Sequence, residues 1–205
     1  MVSLALMMGT IGTALASPLY PIYQQLWHLL PSQITYIFVA YMFGCLATLL
    51  FLGRLSNSIG FLTTLKIGVG LVITGLIVCA MANSPIQLGG GRFVIGIASG
   101  LITTSAMLGL ITSIPNSHRA LAPQISSIVT AIGFGLGPFV GGLIAQFSAL
   151  PLVMPYIVVV VGAMLSLLLL CFIKKPAFEG QPLSLVPKLQ VPDAPHTMGF
   201  YVVGL

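Results

Sequence analysis

The feature that most constrains this chain is that its first 178 residues contain no carboxylate side chain, since the two acidic residues are Glu179 and Asp193. Only 4% of the 205 residues are charged and 58% are hydrophobic, whereas a soluble domain carries about a quarter charged residues. This composition excludes a soluble fold, a disordered chain, a carboxylate metal site and a hydrolase with two catalytic carboxylates. The solvent around most of the chain is therefore expected to be the lipid bilayer.

The net charge of +5 does not indicate a nucleic-acid partner. Nucleic-acid binding needs Lys and Arg clustered on one face, whereas most basic residues here stand alone in the sequence: Arg54, Lys66, Arg92 and Arg119. The cysteines lie in apolar runs without a close Cys or His, which favours buried packing over a metal site: Cys45, Cys79 and Cys171. We expect no cofactor and no metal. The sequence has no suitably spaced nucleophile–base pair, so we do not expect an enzyme.

Six segments are long and apolar enough to cross a membrane as helices, for which about 20 residues each are needed. Polar and proline-containing breaks divide the two longest uncharged stretches, 1–53 and 120–173. The predicted spans are 2–22, 34–54, 62–81, 88–111, 122–146 and 152–173. They predict an all-α integral membrane protein with a six-transmembrane-helix bundle over residues 1–175.

Lys and Arg are distributed among the loops in a way that predicts orientation. The loops at 24–33, 82–87 and 147–151 contain neither residue type, whereas the other connections hold or border the basic residues. Because cytoplasmic loops carry the excess of Lys and Arg, both ends of the six-helix unit are expected to be cytoplasmic. The membrane is expected to be the inner, or plasma, membrane of the cell.

The sequence changes character after the sixth predicted span. Residues 176–197 contain five prolines, both acidic residues and no continuous apolar run, which predicts a flexible cytoplasmic linker. Residues 198–205 are apolar again but too short to span the bilayer. We interpret them as the start of a truncated seventh helix, and expect the chain to be a fragment or a truncated product.

Three glycine-containing segments carry most of the remaining information. In lipid, helices pack closely where small residues recur at spacing four, because there is little hydrophobic drive for their association. The segment after span 2 contains Gly53, Asn57 and Gly60; the segment in span 4 contains Arg92, Gly96 and Gly100; the segment in span 5 contains Gly133, Gly137, Pro138, Gly141 and Gly142. In span 5, a proline that bends the helix stands among the glycines, which predicts a pivot or a close-contact seam.

These segments, in this order within six spans, resemble the N-terminal half of a major facilitator superfamily transporter. The loop signature G-x-L-a-D-r-x-G-r-k-x-x-l is met at Gly53, Leu55, Gly60 and Leu65, and Asn57 stands in its acidic place. The helix 4 signature is met at Arg92 and Gly96. The helix 5 signature g-x-x-x-G-P-x-x-G-G is met in full and is similar to that of drug-type proton antiporters.

Arg92 has two interpretations from the sequence. A charge at the centre of a membrane helix costs roughly 2.5–3.5 kcal/mol, and the apolar residues that follow offset about the same amount. The side chain either lies near the outer end and extends to the lipid headgroups or lines a cavity. The resemblance implies the second role, a cation that binds substrate or affects proton movement.

The resemblance implies transport of a small-molecule substrate, with efflux as the expected direction. The missing C-terminal half, or a second bundle, is then the expected partner, because the family's site lies between two six-helix bundles. The alternative hypothesis is a non-transporting membrane subunit or regulator that binds another transporter. Since spans 1–6 contain no carboxylate, proton coupling would reside in the missing half, run through Arg92 alone or be absent.

Overall fold

The structure is a computed structural model that describes residues 1–53 and 55–173. Throughout these residues the regular structure is helical, without a strand, and the all-α fold class is confirmed. The main helices are α1 Val2–Ala14, α2 Tyr20–Trp27, α3 Pro31–Ala47, α4 Leu55–Ile59, α5 Phe61–Ala80, α6 Pro85–Ser113, α7 Ala122–Phe147 and α8 Met154–Cys171. The predicted linker 176–197 and octet 198–205 lie outside the described residues.

Six helical segments are long and apolar enough to cross a membrane: Val2–Trp27, Pro31–Leu52, Phe61–Ala80, Pro85–Ser113, His118–Phe147 and Met154–Cys171. Helices α3 and α6 begin at Pro31 and Pro85, three residues before the spans predicted from hydropathy. Proline is well suited to the first helical position because its missing N–H would have no partner there and its φ is already helical. The sequence-based prediction placed both prolines in the loops before these spans, at 24–33 and 82–87, whereas in the structure they start the helices.

The first segment is interrupted between α1 and α2. Helix α1 ends at Ala14, and a short 3₁₀ helix at Ser17–Leu19 joins it to α2. Pro18 and Pro21 account for the interruption, since neither residue has an N–H to continue the hydrogen-bond ladder. The first segment is therefore two helices joined at a break, and backbone carbonyls at the end of α1 need other donors.

The helices differ strongly in how much of their apolar surface lies inside the bundle. Within an apolar stretch of 18 residues in each segment, 67% of the residues are buried in Val2–Trp27, against 17% in Pro31–Leu52 and 17% in His118–Phe147. Helix α6 packs against α3, α5 and α1, and α7 packs mainly against α1. The centre of the bundle is thus α1, α5 and α6, with α3 and α7 at its outside.

Glycines set the close approach of α6 to its neighbours. A Cβ atom on Gly91 would lie 2.6 Å from the Cys79 sulfur, and one on Gly75 would lie 3.0 Å from the Gly91 carbonyl oxygen. On the other side of α6, a Cβ atom on Gly96 would collide with the Tyr41 carbonyl oxygen. These backbones touch directly, as small residues allow in membrane helices.

Candidate functional site

Arg92 lies inside the bundle. Its side chain is only 3% exposed, and its Nη1 donates a hydrogen bond of 2.8 Å to the carbonyl oxygen of Thr13 on α1. The guanidinium carbon lies 5.0 Å from the centroid of the Tyr41 ring on α3, within cation–π distance. One cation therefore joins three helices, and the guanidinium does not reach the bundle surface as a headgroup-seeking side chain would.

The hydrogen bond of Arg92 follows from the break in the first segment. Thr13 is one residue from the end of α1, where carbonyl oxygens have no N–H partner in the next turn. The C-terminal end of a helix carries partial negative charge, so a cation there is stabilising, by up to about 2 kcal/mol where partly buried. The guanidinium thus acts as a C-terminal cap for α1, supplied by another helix.

Several tyrosines lie near this contact. The Nε of Arg92 and the hydroxyl of Tyr20 are both buried without a hydrogen-bond partner in the described part of the chain. On the same side, the Tyr23 hydroxyl donates to the Tyr156 hydroxyl at 3.4 Å. The neighbourhood of Arg92 is therefore a buried cluster of tyrosines, and no motif in the sequence indicated that these residues would meet.

The helix 5 glycines face α1. A Cβ atom on Gly137 would lie 2.8 Å from both the Ala14 Cβ and the Ile11 carbonyl oxygen, and one on Gly141 would lie 2.6 Å from the Leu15 carbonyl oxygen. A Cβ atom on Gly133 would collide with the Thr10 hydroxyl. We call the contact of these three glycines with α1 the glycine seam.

The other two residues of that motif lie beside the seam. Gly142 is less crowded than the three seam glycines, because its Cβ position is 3.5 Å from Pro18, an ordinary contact distance. Pro138 stands inside α7, where its ring removes one helical hydrogen bond. The neighbouring Phe139 is turned away and exposed.

The helix 4 glycines face α3 instead. A Cβ atom on Gly100 would lie 2.8 Å from the Thr48 Cβ, one turn beyond the collision of Gly96 with Tyr41. The Tyr41 hydroxyl also lies 3.4 Å from the Ser99 hydroxyl, within hydrogen-bond distance. The two glycines hold α3 close enough for its Tyr41 ring to lie against Arg92.

The loop motif lies apart from this cluster. Gly60 has a φ of 88°, a conformation that glycine adopts without strain, and it precedes α5. Gly53 has an ordinary helical φ, and Asn57 lies in α4 with its side chain outside the described ones. Phe61, the residue after Gly60, packs against Gly109 on α6. At 1.5 Å per residue, Gly109 is about 25 Å along α6 from Arg92. The structure therefore does not bring the loop motif and Arg92 together.

A groove between α6 and α7 was not predicted from the sequence. It has a volume of about 490 Å³ and lies between the C-terminal half of α6 and the first turns of α7. Its lining includes Thr103 and Met107 on α6 and Ser126, Ser127, Thr130 and Phe134 on α7. A signal was present in the sequence, because three hydroxyls fall within five residues of an otherwise apolar segment.

Comparison with known proteins places the chain in a family. The family model described as Major Facilitator Superfamily matches residues 2–200. The chain belongs to the major facilitator superfamily, as its three motif segments indicated.

Several relatives have names that describe transport or resistance. The chain is 26% identical over 150 residues to the riboflavin transporter RibZ of Clostridioides difficile, covering 73% of this chain and 33% of that protein. It is 31% identical over 116 residues to the methylenomycin A resistance protein of Streptomyces coelicolor, covering 56% and 24%. It is 26% identical over 147 residues to the multidrug efflux protein YfmO of Bacillus subtilis, covering 72% and 37%. The matches thus span between 24% and 37% of these relatives' lengths.

Proposed function

We propose that this chain is a six-helix half of a secondary transporter that exports a small molecule from the cell. The observation that carries the proposal is the family match over residues 2–200, joined by relatives named for multidrug efflux and for antibiotic resistance. The interior of the bundle supports it, since Arg92 is a buried charge inside a membrane bundle, where charges mark substrate and ion pathways.

The proposed partner is a second six-helix bundle. Helices α3 and α7 bury little of their apolar surface within this bundle, so they offer two faces for another set of helices. In transporters built from repeats, the substrate binds between the bundles, and one bundle rocks against the other. The substrate is then enclosed only when both bundles are present.

The proposed role of Arg92 is to fix the break in the first segment. Its hydrogen bond to Thr13 and its contact with Tyr41 hold α1 and α3 in register with α6. Loss of the guanidinium would leave a buried carbonyl unpaired, which costs about 1–3 kcal/mol. Transport would then fail because the helices are misplaced, even if the substrate never touches Arg92.

The proposed orientation puts both ends of the bundle in the cytoplasm of a cell-membrane protein. Cysteines at Gln25 and Lys175, introduced singly after the native cysteines are removed, test it with an impermeant thiol reagent added outside intact cells. Position 25 should react and position 175 should not, because the Lys and Arg distribution puts the loop at 24–33 outside. Reaction at position 175 alone would reverse the orientation.

Export itself is tested in cells that express the complete gene of this chain and lack their own main efflux transporters. Accumulation of a panel of small molecules is measured, including riboflavin because RibZ is named for it. We expect lower accumulation of at least one compound than in cells with an empty vector. If every compound accumulates equally, and the chain instead copurifies with another transporter, the subunit hypothesis replaces export.

A further inference from the structure

Arg92 carries a permanent charge that its protein neighbours satisfy only in part. Its Nη1 donates to the Thr13 carbonyl oxygen, and one face of the guanidinium lies over the Tyr41 ring. A guanidinium has five N–H donors and keeps its proton in proteins, so its burial is not relieved by neutralisation as it is for a lysine. The Nε–H of this side chain, which is 3% exposed, has no hydrogen-bond partner among the described residues.

The unpaired Nε of Arg92 has an unpaired neighbour. In the part of the chain that the structure describes, four buried side-chain atoms lack a hydrogen-bond partner: Tyr20 Oη, Ser56 Oγ, Arg92 Nε and Ser166 Oγ. The two serines are neutral, and rotation about χ1 lets a helical serine donate to a carbonyl oxygen of the preceding turn. The Tyr20 hydroxyl is too far from its own backbone for that, and it lies close enough to the guanidinium to interact with its charge. Tyr20 and Arg92 therefore form one site.

The groups around this site supply donors rather than acceptors. The Tyr23 hydroxyl donates to the Tyr156 hydroxyl at 3.4 Å, which leaves the Tyr156 proton for another acceptor. Tyr156 is completely buried and also interacts with the charge of Arg92. The Nε–H of Arg92 and the hydroxyls of Tyr20 and Tyr156 are thus three donors near one buried positive charge, and they lack an acceptor.

The acceptor is not a carboxylate of this bundle, because residues 1–178 contain none. A buried charge needs a partner, since moving an unpaired ion out of water is costly. Water would accept from the donors but brings no charge, whereas a small anion supplies an acceptor for several donors and the opposite charge together. Because Arg92 is almost fully buried, the site favours an ion without a bulky organic part.

We propose that the cluster of Arg92 and Tyr20 binds one small monovalent anion, such as chloride, as a buried counter-ion. The Nε–H of Arg92 and the Tyr20 hydroxyl are its ligands, and the Tyr156 hydroxyl completes its surroundings. Arg92 also joins α6 to Thr13 on α1 and to Tyr41 on α3, so the anion stabilises the contact of three helices. This inference goes beyond the proposed export and does not depend on it.

The anion is tested through thermal stability, because a ligand that binds only the folded protein stabilises it in a saturable way. The protein is expressed from the complete gene of this chain, purified in detergent and melted in sodium chloride, sodium bromide or sodium gluconate at one ionic strength. Replacement of gluconate by chloride or bromide should raise the melting temperature by at least about 2 °C and then level off. Equal melting temperatures in all three salts would overturn the anion and leave water as the partner.

Tyr20→Phe removes one proposed ligand and keeps the ring. It should raise the chloride concentration for half of the effect about tenfold, the cost of one hydrogen bond to an ion. Tyr36→Phe is the matched control, because Tyr36 is 71% exposed near the start of α3, and it should leave that concentration unchanged. Equal shifts in the two variants, or no shift in Tyr20→Phe, would reject Tyr20 as a ligand and with it the proposed site.

Arg92→Gln removes the charge, and Arg119→Gln is its control because Arg119 is exposed in the loop before α7. The first variant should lose the chloride response and the second should keep it. A response of parental size in Arg92→Gln would be a general effect of salt, which would overturn the site. If Arg92→Gln does not fold, the comparison of Tyr20→Phe with Tyr36→Phe decides.

Bromide also locates the ion, because its anomalous scattering identifies it in crystals of the complete protein. We expect a peak beside the Nε of Arg92 and the Tyr20 hydroxyl. A bromide peak that lies only elsewhere would overturn this site even if halide stabilises the protein. None of these measurements involves export, so the anion site and the transport proposal are accepted or rejected separately.

Discussion

The glycine seam and the α6–α7 groove both lie on α7, but they differ in how closely α7 approaches the neighbouring helix. At the seam, α7 presents bare backbone to α1, and a single added carbon would lie 2.8 Å from its neighbour at Gly137. At the groove, which adjoins the seam where Phe134 follows Gly133, α7 presents hydroxyls and α6 stands off far enough to leave about 490 Å³ open. The same helix can thus be held tightly against α1 and stand apart from α6, because side-chain size decides how closely each face approaches its neighbour.

The largest effect that would test this contrast is expected from Gly137→Leu. Four added carbons cannot fit against Ala14 and Ile11, and overpacking of this kind costs about 1–3 kcal/mol or prevents folding. The matched control is Gly135→Leu, because nothing lies within 4 Å of a Cβ at Gly135. We expect the first variant to lose its monodisperse peak in detergent chromatography and the second to keep it. Equal behaviour of both variants would show that the seam is not a tight contact.

Substitution of Arg92 should have the next largest effect. Arg92→Leu leaves the Thr13 carbonyl without its donor and should lower the free energy of unfolding by about 2 kcal/mol. Arg119→Leu is the control, since Arg119 is exposed in the loop before α7. Thermal unfolding in detergent, followed by circular dichroism, measures both changes. If the Arg92→Leu variant were as stable as the parent, the hydrogen bond of Arg92 to the end of α1 would contribute nothing to the free energy of unfolding.

The smallest expected effect is the difference in stability loss between the substitutions of two threonines, one at the seam and one at the groove. This difference compares the two regions most directly. Thr10→Val places a methyl group where the Thr10 hydroxyl meets Gly133 and should destabilise the bundle by about 1 kcal/mol. Thr130→Val removes a hydroxyl with no partner in the described protein and should change stability by less than about 0.5 kcal/mol. The same unfolding measurement applies. A larger loss for Thr130→Val would mean that its hydroxyl is bound within the fold.

The sequence allowed the six helical segments, the family and the spacing of the glycine rows to be predicted. Length and apolar composition decide whether a segment can span a bilayer, and both can be counted directly. The face shared by Gly133, Gly137 and Gly141 follows from helical periodicity alone. Pro31 and Pro85 were placed in loops because hydropathy does not distinguish a proline that starts a helix from one that ends it.

The partners of these residues could not be predicted, because they depend on which helices become neighbours. Arg92 was recognised as an unusual charge, but its hydrogen bond to Thr13 exists only because α1 stops near Pro18 at the same depth. The groove depends on the separation of α6 and α7, which spacing along one helix does not determine. The three hydroxyls at 126, 127 and 130 are visible in the sequence, whereas the groove that they line is a property of the fold.

The buried guanidinium of Arg92 has an electrical consequence. Residues 1–178 contain no carboxylate, so the charge of Arg92 has no opposite ionised side chain from this part of the chain and is uncompensated within the membrane field while no anion is bound beside it. Carrying one elementary charge across the whole membrane is worth about 2.3 kcal/mol per 100 mV, so a displacement of a tenth of the thickness is worth about 0.2 kcal/mol. In the proposed transporter, a rocking motion that moved α6 along the membrane normal would then be biased by the membrane potential, so the resting voltage of the cell would contribute to the balance between conformations.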